Sequence, residues 1–329
     1  MTTHPFRHLY VHIPFCRHKC GYCDFNAYAG MDRLMPDYVT ALNAELTAAR
    51  ETRPFGTLRT VYLGGGTPSL LPPELIASVL SHIGSTFDVE PDAEVTLEAN
   101  PGATHAFGLA RKAGMRNINI DLIYAVPYQS LDSWLETLRR GLELGPDHVS
   151  TYCLTFEEGT LLFRRRAEGR LPEVVADLQW DQLDAACIEL EAAGFNRYEV
   201  SNWAKPGFES RHNFAYWRCA PVYGAGAGAH SYATDGSSAR RWWNVARPRE
   251  YVAACPEPVA DGEDLDARKT RAEALMLGLR TAEGTAVPGG FESELAQLAQ
   301  AGLIERSNGK VTPTRRGMDL HNQIALAVL

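Results

Sequence analysis

The chain opens with short apolar runs that alternate with longer amphipathic ones. Residues 8–13 (HLYVHI) read as a first strand. Residues 36–50 follow as a helix, with Tyr38, Leu42 and Leu46 at i, i+4 spacing. A strand at 59–63 runs into Gly64-Gly65-Gly66-Thr67-Pro68. A helix at 72–83 is opened by two prolines and carries Leu75, Val79 and Ile83 on one face. Strands are expected at 94–98, 119–126 and 148–155. Between the last two lies a helix with Ser130 as its N-cap, burying Leu131, Trp134, Leu138 and Leu142 and stopping at Gly145-Pro146. Strands alternating with helices predict parallel βαβ units, and therefore an α/β fold with its site at the C-terminal ends of the strands.

The pattern changes after Gly169. A long helix is expected at 177–193 and an outlying strand at 195–201. Residues 224–229 read as a Gly/Ala loop; the GxGxxA spacing there lacks the βαβ frame of a dinucleotide site. From about residue 263 the chain reads as mainly helical, ending in a hairpin that turns at Asn308-Gly309 and resembles a wing on a helical domain. The expected domains are 1–165, a barrel with the cysteine loop; 166–245, a connecting region; and 246–329, a helical C-terminal domain.

Seven cysteines are present, and three of them, Cys16, Cys20 and Cys23, lie within eight residues. An odd number in a 329-residue chain argues against a disulfide scaffold and for a metal site. Thiolates at this spacing bind zinc or iron–sulfur clusters. A closed zinc site needs a fourth ligand, which His12, His18 or Asp24 would supply. A [4Fe–4S] cluster on three cysteines leaves one iron open for another ligand. Tyr22, beside the last cysteine, is placed to stack on an adenine. Cys153, Cys187 and Cys219 are expected to be buried apolar residues; Cys187 shares a helix face with Leu183 and Leu190.

The 45% apolar content supports a substantial core, and no run is long enough to cross a membrane as a helix. The short polar start lacks the apolar stretch of a signal peptide, so the expected location is the cytoplasm. A net charge of −8 argues against nucleic acid as a partner.

The segment YVHIPFCRHKCGYCDF, with VYLGGGTPSLL downstream, resembles the cluster loop of the radical S-adenosylmethionine (SAM) superfamily. Within it, the chain is similar to the oxygen-independent coproporphyrinogen III dehydrogenases and their relatives, the HemW-type heme chaperones. The dehydrogenases carry a fourth cysteine two positions after the third, where this chain has Phe25. His212-Asn213-Phe214-Ala215-Tyr216-Trp217 matches the HNxxYW motif of the chaperones. Both features point to the chaperones rather than to a coproporphyrinogen dehydrogenase.

The resemblance implies a partial (β/α) barrel, a [4Fe–4S] cluster on Cys16, Cys20 and Cys23, and SAM on the open iron. It implies SAM contacts from Tyr10, Gly65, Gly66, Thr67, Glu98 and Asp121. It further implies heme as cargo and heme-acceptor proteins as partners, with room for a membrane-associated acceptor and for a homodimer. His212, with Tyr216 and Trp217, is the heme-contact candidate; the plainer alternative is that His212 and Asn213 fix a loop while Trp217 fills a core. The chain departs from the family after the ANPG segment at 99–102, where a helix, a strand and a second helix are missing. The barrel is therefore expected to be one strand short.

Overall fold

A computed structural model describes residues 4–100 and 103–329. Pro101 and Gly102 of the ANPG segment lie outside the described residues. Three parallel strands form the first part of the barrel: β1 (Phe6–Ile13), β2 (Phe55–Gly65) and β3 (Val89–Leu97). Leu9, Val11 and Ile13 of β1 and Val61 and Leu63 of β2 are buried on one face. Against it pack helices α1 (Met35–Thr52) and α2 (Pro73–Thr86) through Tyr38, Leu42, Leu46, Val79 and Ile83. The other face of the same strands, reached by every second residue, is polar: His8, Tyr10 and His12 on β1, Thr60 and Tyr62 on β2.

The next described helix, α3 (Ala103–Lys112), leads to two further parallel strands in a separate sheet, β4 (Asn119–Tyr124) and β5 (His148–Cys153). Between them, α4 (Leu131–Glu143) begins where the Ser130 hydroxyl accepts a hydrogen bond from the Ser133 N–H, and it buries Trp134 and Leu138. After α5 (Leu161–Ala167) comes α6 (Ala176–Ala192), which contributes Leu183, Cys187 and Leu190 to the same core. Two short strands, β6 (Asn196–Arg197) and β7 (Asn202–Ala204), then extend the β4–β5 sheet in antiparallel fashion.

The missing barrel strand leaves a visible break. β3 ends one sheet and β4 ends the other, with no ladder between them among the described residues. An interior strand has thus become two edges. No residue of β3 is fully buried, and Val95 is 57% exposed. The lower part of the gap is bridged by other means. Asn117 Nδ2 donates to the Phe208 carbonyl, and the Glu94 carboxylate of β3 accepts from the Arg211 and His212 N–H groups. On the far side, Arg111 of α3 donates to the carbonyls of Met115, Arg116 and Gly145 and pairs with Asp147, tying α3 to the foot of β4 and β5.

Helix α7 (Arg211–Trp217) precedes four strands, the first of which overlaps the expected Gly/Ala loop at 224–229: β8 (Val222–Ala225), β9 (His230–Thr234), β10 (Ala239–Asn244) and β11 (Val259–Leu265). β8 lies parallel to β1, and the rest continue antiparallel to give a seven-stranded sheet. The expected boundary at residue 245/246 therefore falls inside one hydrogen-bonded sheet. α8 (Pro248–Ala254) crosses between β10 and β11 and packs on α1.

The C-terminal unit has its own core of Leu275, Leu279, Phe291, Leu295, Val311 and Ile324. It comprises α9 (Ala267–Gly278), β12 (Thr285–Ala286), α10 (Glu292–Gln300), the hairpin β13 (Ile304–Ser307) and β14 (Lys310–Pro313), and then α11 (Arg315–Asp319) and α12 (His321–Val328). This is the expected winged arrangement, turning at Asn308-Gly309. It is docked on the barrel by a nearly buried ion pair between Arg197 and Asp319, 7% and 13% exposed, and by backbone bonds from Val200 and Ala282. Removing one partner of such a pair strands the other charge. Asp319→Ala is expected to destabilise the protein by about 3 kcal/mol in urea unfolding followed by circular dichroism. A loss under about 1 kcal/mol would mean that solvent reaches the pair freely.

Candidate functional site

The cysteine loop leaves the C-terminal end of β1 and is fastened where the parallel ladder runs on past the strand ends. Gly66 N–H donates to the Ile13 carbonyl at 2.9 Å, and Thr67 N–H to the Phe15 carbonyl at 2.8 Å. The glycines are needed for this approach. A Cβ on Gly66 would lie 2.7 Å from the Phe15 oxygen, and one on Gly65 (φ +116°) would lie 2.4 Å from the His12 ring. Phe15–Cys16 then pairs with Tyr28–Ala29, so the loop returns beside its own start. Its outer side rests on α5, where Leu162 N–H donates to the Gly21 carbonyl.

Cys16 sits nearest the glycine loop, with its Sγ 3.5 Å from the Thr67 hydroxyl. Cys20 is exposed and Cys23 half-buried. Burial pushes the Cys23 thiol up, so ionising it costs more than in water unless a cation takes the charge. Among the described residues, no three His, Cys, Asp or Glu side chains converge tightly enough for a single metal ion. A cluster makes a different demand, because each thiolate binds a separate iron. Three thiols on one loop, none of them fully buried, are donors of the kind that demand needs.

Above the barrel interior stand the residues expected to meet SAM. Glu98 Oε1 accepts from Tyr62 at 2.7 Å and Oε2 accepts from the Gly65 N–H at 2.9 Å, so this carboxylate frames the glycine loop. Burial raises its pKa, and the nearby Asp121 raises it further. Asp121 is exposed and held by Asn119 at 2.6 Å. Tyr22, 41% exposed, feels Cys20, Cys23 and Asp121. Tyr10 stacks on Tyr62 at 5.9 Å, and its hydroxyl meets His12 Nδ1 at 3.0 Å. Tyr10, Tyr22, Thr67, Glu98 and Asp121 thus share the barrel mouth with the cysteine loop. Two carboxylates at that mouth suit a ligand that carries positive charge, as a sulfonium and ammonium do.

His212 is elsewhere. It is 1% exposed and lies on the barrel floor, stacked on Tyr62 at 5.0 Å with Tyr216 edge-on at 5.2 Å. Thr60 Oγ1 contacts both His212 Nδ1 (2.6 Å) and His8 Nδ1 (3.0 Å). Burial, helped by His8, pushes the His212 pKa down to about 3, so the ring is neutral. Trp217 lies under the Arg280 guanidinium at 4.5 Å. His212 is closed off from solvent, whereas Tyr216 and Trp217 beside it are half-buried.

Cys187 is buried as expected, whereas Cys153 is exposed because β5 ends there at the mouth. Cys219 is half-buried, its thiol pushed up to about 12 by burial. Sequence reasoning missed His8, Thr60, Tyr62 and Glu94 as lining residues. Their signal was the strict alternation with Leu9, Val61, Leu63 and Val95.

A family model for the radical SAM superfamily matches residues 10–123. The heme chaperone HemW of Mycobacterium tuberculosis is 36% identical over 379 aligned positions, covering 100% of this chain and 96% of that protein. HemW of Bacillus subtilis is 30% identical, covering 97% and 98%. Since 329 residues are spread over 379 aligned positions, the relative carries segments that this chain lacks. A solved coproporphyrinogen III oxidase (HemN) from Escherichia coli, a radical SAM enzyme, superposes with a TM-score of 0.81 at 20% identity, over 99% of this chain and 91% of that one. The fold and the cysteine loop define a radical SAM protein, and within that superfamily the chain belongs to the HemW heme chaperone family.

The glycine approach is the most sensitive point of the site. Gly65→Ala places a methyl group into the His12 ring at a positive φ. The variant is expected to unfold several degrees lower by scanning calorimetry and to take up less than half the wild-type iron on reconstitution. Wild-type iron content would show that the β1–β2 approach does not position the cluster loop.

Proposed function

We propose that this chain is a heme chaperone: it binds heme and delivers it to acceptor proteins, and it holds a [4Fe–4S] cluster on Cys16, Cys20 and Cys23 with SAM alongside. The observation that carries this reading is a three-thiol loop pinned at the mouth of a radical SAM barrel, with exposed Phe25 where a dehydrogenase carries its extra cysteine. It is supported by full-length similarity to proteins named heme chaperones.

Cys16, Cys20 and Cys23 would hold the cluster, which would supply one-electron chemistry to SAM. The chain's own residues hold and orient. Gly65 and Gly66 bring backbone close to the loop, Thr67 stands beside Cys16, and Glu98 fixes Tyr62 and the glycine turn. Asp121, opposite, faces the mouth from the second sheet and would take the ammonium or ribose hydroxyls of SAM. The open edges of β3 and β4 leave that pocket without the wall that a complete barrel provides, so SAM affinity is expected to be weak. The cytoplasm is the proposed location; among the described residues no helix is long and apolar enough to cross a membrane. Heme acceptors, a membrane-bound one included, and self-association are read from the family alone.

The test is an anaerobic reconstitution with iron and sulfide followed by a hemin titration read in absorbance. A cluster band lost in the Cys16→Ala, Cys20→Ala, Cys23→Ala variant, together with a Soret shift at stoichiometric hemin in both proteins, is the expected result. Turnover of coproporphyrinogen III with SAM and a reductant would overturn the chaperone reading.

His212→Ala separates floor packing from heme ligation. The packing seen here predicts a loss of about 3 kcal/mol in stability with the Soret shift retained. Loss of the Soret shift in a folded variant would instead make His212 the heme contact that the HNxxYW motif suggests.

A further inference from the structure

A carboxylate far from the SAM-side residues is among the most deeply buried polar groups in the protein. Glu45 of α1 is 1% exposed within the main hydrophobic core. Oε2 accepts from the Gly226 N–H at 2.9 Å and from the Tyr251 hydroxyl at 2.5 Å. Oε1 accepts from Asn244 Nδ2 at 2.7 Å and from the Tyr223 hydroxyl at 3.3 Å. Burial pushes its pKa up to about 7, against the pull of these four donors. None of the four donors is a cation. A carboxylate costs several kcal/mol to bury, so a core position of this kind asks for a reason beyond filling space.

The reason lies in what Gly226 does next. The Gly224–Ala229 turn fits against the two ends of the cysteine loop. At the entry end, Tyr38 donates its hydroxyl to the His12 carbonyl at 2.7 Å and accepts from the Ala227 N–H at 2.8 Å. Gly226, at φ +102°, lies so close that a Cβ would be 2.5 Å from the His12 oxygen. At the exit end, Asn26 Nδ2 donates to the carbonyls of Ala227 and Ala246, both at 2.9 Å. A Cβ on Gly228 would be 2.5 Å from that same amide nitrogen. His12 Nε2 closes the circuit on the Asn26 carbonyl at 2.9 Å. Cys16, Cys20 and Cys23 lie between these two clamped points.

We infer that Glu45 is a positioning residue for the cluster loop, acting through the Gly224–Ala229 turn, which clamps His12 and Asn26 on either side of the three cysteines. Glu45 touches neither thiol nor cofactor. It sets the turn, and the turn sets the span that the loop must bridge. The glycines at 226 and 228 are required by contact with the loop's two ends rather than by a nucleotide.

Three variants test this: Glu45→Ala, Glu45→Gln and Asn26→Ala, with the Glu45→Ala, Asn26→Ala double variant. The inference rests on the cluster reading only for its second measurement. First, amide hydrogen exchange is followed by mass spectrometry on the metal-free proteins. Residues 24–28 are expected to exchange roughly tenfold faster in Glu45→Ala, with Glu45→Gln between that and wild type, and α6 unchanged. Second, iron release to a chelator is timed on the reconstituted proteins. Each alanine variant is expected to lose iron roughly tenfold faster, and the double variant no faster than either, because both changes cut one clamp. Unchanged exchange at 24–28, equal acceleration in α6, or multiplied rates in the double variant would overturn the inference. If wild type takes up no iron and sulfide, the cluster reading fails, and the exchange comparison still decides the clamp.

Discussion

The structure depends on one close approach of backbone to backbone, where β2 runs past its last side chain and keeps bonding to β1 through Gly66 and Thr67. A side chain at Gly65 would run into the His12 ring, and one at Gly66 into the Phe15 backbone. Here the glycine run lets the ladder continue beyond Ile13 into the start of the cysteine loop. That extension converts a flexible connection into a loop with a fixed root. The same run places Gly65 N–H against Glu98, so β3 is drawn into the arrangement at its own end. Three strands thus meet at one point, and the thiols are presented from it.

The missing strand sets the opposite constraint. Losing an interior strand from a parallel sheet frees two rows of N–H and C=O groups and exposes apolar surface, of which Val95 is the clearest case. The fold tolerates this because each half-sheet has its own helix layer and its own core. Across the gap, polar ties replace the ladder. Glu94 holds the start of α7, Asn117 holds Phe208, and Arg111 clasps α3 to the foot of the second sheet. All these ties lie low in the barrel. The upper part of the gap, level with Glu98 and Asp121, has no such tie among the described residues, so the loss falls on that side of the mouth rather than on the cysteine loop.

Much of this was legible in the sequence, and the rest was hidden for identifiable reasons. The first strands and helices were strongly periodic, and the packing of Tyr38, Leu42 and Leu46 follows that period directly. The cysteine spacing and the glycine run marked out a loop that the structure roots between β1 and β2. The strands between Val222 and Leu265 were not visible because they are short, glycine-containing or charged, and are decided by pairing with β1 and with one another. His212 was singled out for chemistry, yet the structure gives it stacking partners on the barrel floor. Its burial follows from Thr60 and Tyr62, residues distant in sequence, so no local pattern could reveal it. Glu45 was invisible for the same reason. It sits on the buried face of α1, and only the fold shows that Gly226, Asn244 and Tyr251 meet there.

Taken together, the polar groups inside this protein form two systems with different tasks. The floor system joins His8, Thr60, His212 and Glu94 and substitutes for part of the absent strand. The clamp system joins Glu45, Tyr38, His12 and Asn26 and fixes the cluster loop from behind. They touch at β1, where Tyr10 faces His212 on one side and contacts His12 on the other. The two systems thus meet across β1, whose apolar face is fully packed. Because β8 flanks β1 on the side opposite to β2 and β3, the clamp holds the three-cysteine loop from the side away from the gap.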